Sequence, residues 1–133
     1  MNIRDVLKSH DKKVTPERSE LFSWMKEKHL FSAADIESSF STIGRASIFR
    51  TLKLFCEIWI LRRLHQWDAG DKYEIDCCEK HHHEHMTCKS CWDILSFASD
   101  AICGKIFAEA KKLGFMVDEH SLSIFWKCSN CNV

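Results

Sequence analysis

Residues 45–64 read RASIFRTLKLFCEIWILRRL, and the fold turns on where the periodicity of this stretch changes. Ile48, Leu52 and Phe55 recur at spacings of four and three, one stripe of a helix, while Ser47, Arg50 and Lys53 point elsewhere. After Glu57 the period shortens. Ile60–His65 and Lys72–Ile75 read as two short strands, with Asp68-Ala-Gly-Asp71 as the turn between them. Upstream, Asp5–Ser9 reads as a short helix. Thr15-Pro16 reads as an N-cap and first-turn proline, followed by Leu21, Phe22 and Met25 on one face. Ser32-Ala-Ala-Asp35 is a capping-box variant, with Asp in place of Glu, opening a short helix that carries Ile36 and Phe40. Gly44 punctuates the chain before residue 45. Several short helices and then a small hairpin is the order of a winged helix-turn-helix. In that reading 45–55 is the recognition helix, its polar face toward a DNA groove.

Beyond the hairpin, residues 76–81 read as a hinge. His85–Cys88 and Asp93–Phe97 are strand-like. Ile102, Ile106, Ala110 and Leu113 mark an amphipathic helix that Gly114 ends. Phe115–Val117 and the alternation Leu122, Ile124, Trp126 predict further strand. The expected fold class is α+β. A winged helix-turn-helix domain spans 1–76, and a small α/β domain spans 77–133.

Composition narrows the class. Apolar residues make up 45% and charged residues 29%, a globular balance. No apolar run approaches the ~20 residues of a membrane helix. The opening MNIRDVLKSHDKK has no apolar core of a secretory signal, so a cytoplasmic location and no membrane partner are expected. One Pro and four Gly leave little room for an all-β fold. Residues 1–70 hold 12 basic against 9 acidic side chains, and residues 71–133 hold 7 against 10. A mildly basic first half and an acidic second half suit a nucleic-acid module joined to a metal-binding one.

Eight Cys and eight His point to the chemistry, and seven of those Cys and five of those His lie after residue 70. In a reducing compartment such richness favours metal ligation over disulfides. Cys88-Lys-Ser-Cys91 and Cys128-Ser-Asn-Cys131 are two knuckles. Each can present two thiolates at about 2.3 Å to one zinc, and the two pairs together complete a tetrahedron. A redox dithiol or buried Cys is the plainer alternative for either pair. On an extended segment His81, His83 and His85 share one face, and His82 and Glu84 share the other. One strand could thus feed two metal sites; the alternative is a solvated polar tract. Cys56 and Cys103 read as buried or idle thiols. Cys77-Cys78 reads as either spare ligands or a redox-sensitive pair.

These motifs together resemble the ferric uptake regulator family of bacterial metal-dependent repressors. The matching segments are Val14-Thr-Pro-Glu-Arg18, Ser32-Ala-Ala-Asp-Ile36, Ala46-Ser-Ile-Phe-Arg-Thr-Leu52, Lys72-Tyr-Glu74, His81 to Cys91, and His120-Ser-Leu-Ser-Ile124 with the last knuckle. The resemblance implies that 1–76 binds DNA and that 77–133 is an α/β dimerisation domain with a structural zinc on Cys88, Cys91, Cys128 and Cys131. It implies a regulatory site containing Glu74, His83 and His85, with His29 one position from the family's remaining histidine. It implies an additional site of His82, Glu84 and His120, where Cys103 stands in place of a helix glutamate and Asp100 is a further donor. For DNA it implies Arg18, Arg45, Ser47, Arg50 and Lys53, with Phe49 where the family has Tyr.

The expected function is therefore a homodimeric metal-responsive repressor that binds a double-stranded DNA operator, and not an enzyme. Its cofactors would be structural Zn2+ and regulatory Fe2+ or another divalent ion, since His with carboxylate suits Fe2+, Mn2+ and Zn2+ alike. A zinc- or peroxide-sensing member of the same family is the alternative; a metal-storage or trafficking protein and a metal-dependent hydrolase are distant ones. Three of the five tryptophans, Trp59, Trp92 and Trp126, stand where the resemblance places glycine. Genuine substitution explains them, or a UGA codon that specifies glycine.

Overall fold

The computed structural model describes residues 1–66, 70–76, 84–117 and 120–132. The chain divides into two compact units, Met1–Cys77 and Cys78–Val133.

The first unit opens with α1 (Ile3–Ser9) and α2 (Pro16–Lys26), the latter N-capped by the Thr15 hydroxyl accepting from the Arg18 amide at 3.2 Å. β1 (Phe31–Ser32) leads into α3 (Ala33–Ser39). The capping box forms as the sequence predicts. The Ser32 amide donates to Asp35 Oδ2 at 2.7 Å, and the Asp35 amide donates back to Ser32 Oγ at 3.1 Å. Gly44 caps α4 (Arg45–Glu57), and β2 (Leu61–Leu64) pairs antiparallel with β3 (Lys72–Ile75) as the wing. β1 joins the far edge of β3, giving the order β1-β3-β2. This is the winged helix-turn-helix arrangement.

The predicted stripes form its core. Leu21, Phe22, Met25, Ile36, Ile48, Leu52 and Phe55 are all buried, and Phe22 meets Phe55 edge to face at 6.2 Å. Phe31 stacks on Tyr73 across the β1–β3 pair, and Trp24 packs edge-on against both Phe31 and Phe40.

In the second unit β4 (Glu84–Cys88) is central. It pairs antiparallel with β5 (Ile94–Phe97) and parallel with β6 (Ser123–Trp126). α5 (Asp100–Lys112) connects β5 to β6 and carries no buried residue. The predicted strand at Phe115–Val117 does not form. The Phe115 amide is already committed to the Ala110 carbonyl at 2.9 Å, closing α5, and so cannot join a ladder. Phe115 and Met116 are largely exposed. The predicted hinge falls mostly on residues 77–83, and half of the predicted turn on 67–69, outside the described residues. Among the described residues no helix is long and apolar enough to cross a membrane.

The Ser32 amide holds the Asp35 carboxyl below its usual range. Its contribution to stability is thus complete above the ordinary carboxylate pKa and fades as pH falls through the lowered one. Asp35→Ala should cost about 1 kcal/mol in urea unfolding at neutral pH. The gap to wild type should narrow in acid; a gap that widens there would contradict the capping role.

Candidate metal centres and nucleic-acid face

Parallel pairing of β4 with β6, in the register Cys88 opposite Trp126, places the ends of the two strands side by side. Each strand then runs into a knuckle turn. The four sulfurs of Cys88, Cys91, Cys128 and Cys131 come to lie within 4.8 Å of one another. Cys91 Sγ and Cys128 Sγ are 3.8 Å apart. A tetrahedral zinc with 2.3 Å bonds separates its sulfurs by about 3.8 Å. The Cys128 and Ser90 amides donate to Cys88 Sγ at 3.3 and 3.4 Å. Such donors, Cys128 foremost, hold the Cys88 thiol down to about 6. Cys131 is pushed up to about 12 by its neighbours Cys128 and Cys91. Four thiols this close cannot all ionise beside one another, and a divalent cation removes that conflict. The donor set fits zinc.

A second group forms at the opposite end of β4. Glu84 Oε1 lies 3.0 Å from His120 Nε2, and Cys103 Sγ lies 3.3 Å from the same nitrogen and 3.9 Å from the same oxygen. Glu84 is only 1% exposed, and its other oxygen accepts the Leu122 amide at 2.7 Å. Phe107 on α5 meets the His120 ring edge to face at 5.5 Å. Among the described residues these are the two groups of three or more His, Cys, Asp or Glu donors within such reach, and Asp100 belongs to neither. Sequence reasoning named Glu84, Cys103 and His120. It missed the Leu122 amide and Phe107, because a backbone donor leaves no residue-type signal. The idle-thiol reading suits Cys56, whose half-buried thiol is pushed up by burial. It does not suit Cys103.

Of the other expected ligands, Glu74 lies on β3 opposite Arg62, in the first unit, and His29 is exposed ahead of β1. His85 is buried on β4, in the second unit. His82, His83, Cys77 and Cys78 lie outside the described residues.

α4 separates its faces as the periodicity requires. Ile48, Thr51, Leu52, Leu54 and Phe55 are buried, whereas Arg45, Phe49, Arg50 and Lys53 are exposed and Ser47 is half-buried. The exposed face is pre-ordered. Arg45 reaches Glu37 at 3.5 Å and stands over the Phe49 ring, and Arg50 donates to Ser47 Oγ at 3.3 Å. Arg18, in the first turn of α2, donates to the Lys13 carbonyl.

Comparison with known proteins agrees with this geometry. A family model described as the ferric uptake regulator family matches residues 9–125. The chain is similar to the ferric uptake regulation protein of Campylobacter jejuni, 34% identical over 90 residues, which cover 68% of this chain and 56% of that protein. It thus spans little more than half the length of that relative. It is similar to the ferric uptake regulation protein of Escherichia coli K12, 30% identical over 129 residues, 92% of this chain and 86% of that one. The solved ferric uptake regulator from Francisella tularensis with iron is 29% identical and matches with a TM-score of 0.76, covering 91% of this chain and 95% of that one. With the fold, the two donor groups and these matches in accord, the chain belongs to the ferric uptake regulator family.

Proposed function

We propose that this chain is a homodimeric, metal-responsive transcriptional repressor with Fe2+ as its corepressor and Zn2+ as its structural ion. The observation that carries this reading is one chain holding both a basic, pre-ordered helix face on a winged helix and a four-cysteine group with zinc spacing. The similarity to iron-regulation proteins supports Fe2+.

Homodimerisation is supported by what the second unit leaves uncovered. Leu95, Phe107, Leu113, Phe115 and Phe125 are all at least 36% exposed. Leu95 is level with Met86 and Phe125 with Thr87, on opposite sides of the sheet, and a second copy covering either side would remove apolar surface from water.

In this reading Glu74, His83 and His85, with His29, form the regulatory site, and a bound divalent ion supplies the positive charge that allows these donors to converge. The arrangement that binds the ion more tightly gains population. In it the two α4 helices of the dimer fit successive major-groove half-sites. Arg18 and Arg50 contact backbone phosphate or a base edge, and Phe49 packs on thymine methyls.

Cys88→Ser and Cys128→Ser should each lose one zinc per chain and weaken the second unit, because metal-binding energy here is folding energy. Metal content and sedimentation measure both effects. Either variant keeping full zinc and a normal dimer would refute the four-cysteine assignment. The double variant His83→Ala, His85→Ala should keep zinc and dimer but lose metal-enhanced binding to duplexes selected from a random pool under anaerobic Fe2+. Equal affinity of the unmodified protein with and without Fe2+ would remove the corepressor reading.

A further inference from the structure

We infer that Glu84, Cys103 and His120 form a thiolate-bearing site that takes a zinc-class ion, Zn2+ or Co2+, in preference to Fe2+. This rests on reading the chain as a metal-binding regulator, and it assigns to one site a metal class different from that of the proposed corepressor.

A thiol, an imidazole and a carboxylate side by side have two chemical readings. In a nucleophile relay the imidazole bridges: one ring nitrogen faces the thiol and the other faces the carboxylate. Here Cys103 Sγ and Glu84 Oε1 both face Nε2, at 3.3 and 3.0 Å. Three donors that face one another converge on a point. The triangle they form has edges of 3.0, 3.3 and 3.9 Å. Zinc bonds of about 2.0–2.3 Å give tetrahedral edges of about 3.3–3.8 Å, so small shifts admit the ion. The Leu122 amide occupies Glu84 Oε2, leaving Oε1 to ligate. Among the described residues three donors lie within this reach, and the fourth position falls to water or a further donor.

Sulfur decides the class. A helix carboxylate would complete an all-hard N/O set suited to Mn2+ and Fe2+; a thiolate shifts preference toward zinc. Binding replaces the Cys103 S–H bond with a metal–sulfur bond and releases one proton to solvent.

The test starts from protein whose four-cysteine group is filled with Zn2+ and adds Co2+, following near-ultraviolet sulfur-to-cobalt charge-transfer absorption while zinc retention is checked. Unmodified protein should show the band saturating at one Co2+ per chain. C103S should lose the band, and C103E should lose it while gaining at least tenfold in Mn2+ affinity relative to Zn2+. An undiminished band in C103S, or a Mn2+/Zn2+ ratio unchanged in C103E, would overturn the assignment. Neither readout involves DNA, so a failure here is distinct from a failure of the repressor reading.

A separate observation concerns the tryptophans. Three helices end in one motif, in which the residue after the cap bonds three residues back and the next bonds five back. In α1 these are Asp11 to Lys8 and Lys12 to Leu7; in α4, Trp59 to Cys56 and Ile60 to Phe55; in α5, Gly114 to Lys111 and Phe115 to Ala110. The motif puts its pivotal residue in the left-handed region, and φ is 54° at Asp11, 61° at Trp59 and 80° at Gly114. Gly and Asp are at home there, and a bulky side chain is not. Trp92, at the first knuckle, has φ 63°. Among the described residues, Asp11, Trp59 and Trp92 are the positive-φ residues other than glycine. Burial does not account for Trp59, which is 68% exposed, whereas Trp24 packs on two aromatic rings. Trp126 lies within β6, where any residue fits, so the backbone argument stops at two positions. The chain has only four glycines in 133 residues, against a usual share of about 7%.

We propose that the gene specifies glycine at 59 and 92, through UGA codons read as glycine. Reading the codons tests this: UGA at 59 and 92 with UGG at 24 is expected, and UGG at 59 or 92 overturns it. At the protein level W59G should raise the thermal midpoint by about 4–8 °C over W59A, which removes the indole but keeps the Cβ. Equal midpoints would overturn the backbone argument for position 59.

Discussion

The second unit buries almost no hydrocarbon of its own. Among the described residues its buried side chains are Glu84, His85, Thr87 and Cys88, and α5 contributes none. The clustered apolar core lies wholly between Ile3 and Tyr73. A sheet of three short strands with one helix cannot stand on that little burial. Bonds to metal at the four-cysteine group supply what hydrocarbon does not, so metal supply enters its stability. In the proposed dimer, covering the exposed apolar side chains would add to this, and chain concentration would enter as well.

The first unit is the contrary case, and this is why it was legible in sequence. Its helices carry local signals: Thr15 before Pro16, Ser32 with Asp35, and Gly44 before the Ile48–Leu52–Phe55 stripe. Each becomes the expected cap or buried face. Core burial follows periodicity directly, because one helix face has one place to go. β1 escaped notice because two residues carry no period; only their pairing with β3 makes them a strand. At Phe115–Val117 an apolar run read as strand, but the amide that a ladder needs already serves the end of α5.

The metal donors were legible as residue types more than as groupings. Two Cys-x-x-Cys spacings carry their geometry with them, so the four-sulfur group follows from sequence and pairing alone. Glu84, Cys103 and His120 are separated by 18 and 16 intervening residues, and Cys103 sits on a helix with no motif around it. Spacing alone does not group them; the family resemblance does, and the fold brings them into reach.

β4 is joined to the segments on either side of β6, by Glu84 with His120 before it and by Cys88 with Cys128 after it. A slip of β6 by one residue would carry the donors that flank it out of both groups together. Two short strands of ordinary sequence offer little else to fix their alignment. The ions would then act as a proofreading gauge: only chains aligned to the residue could load both, and misaligned ones would stay open to unfolding and removal.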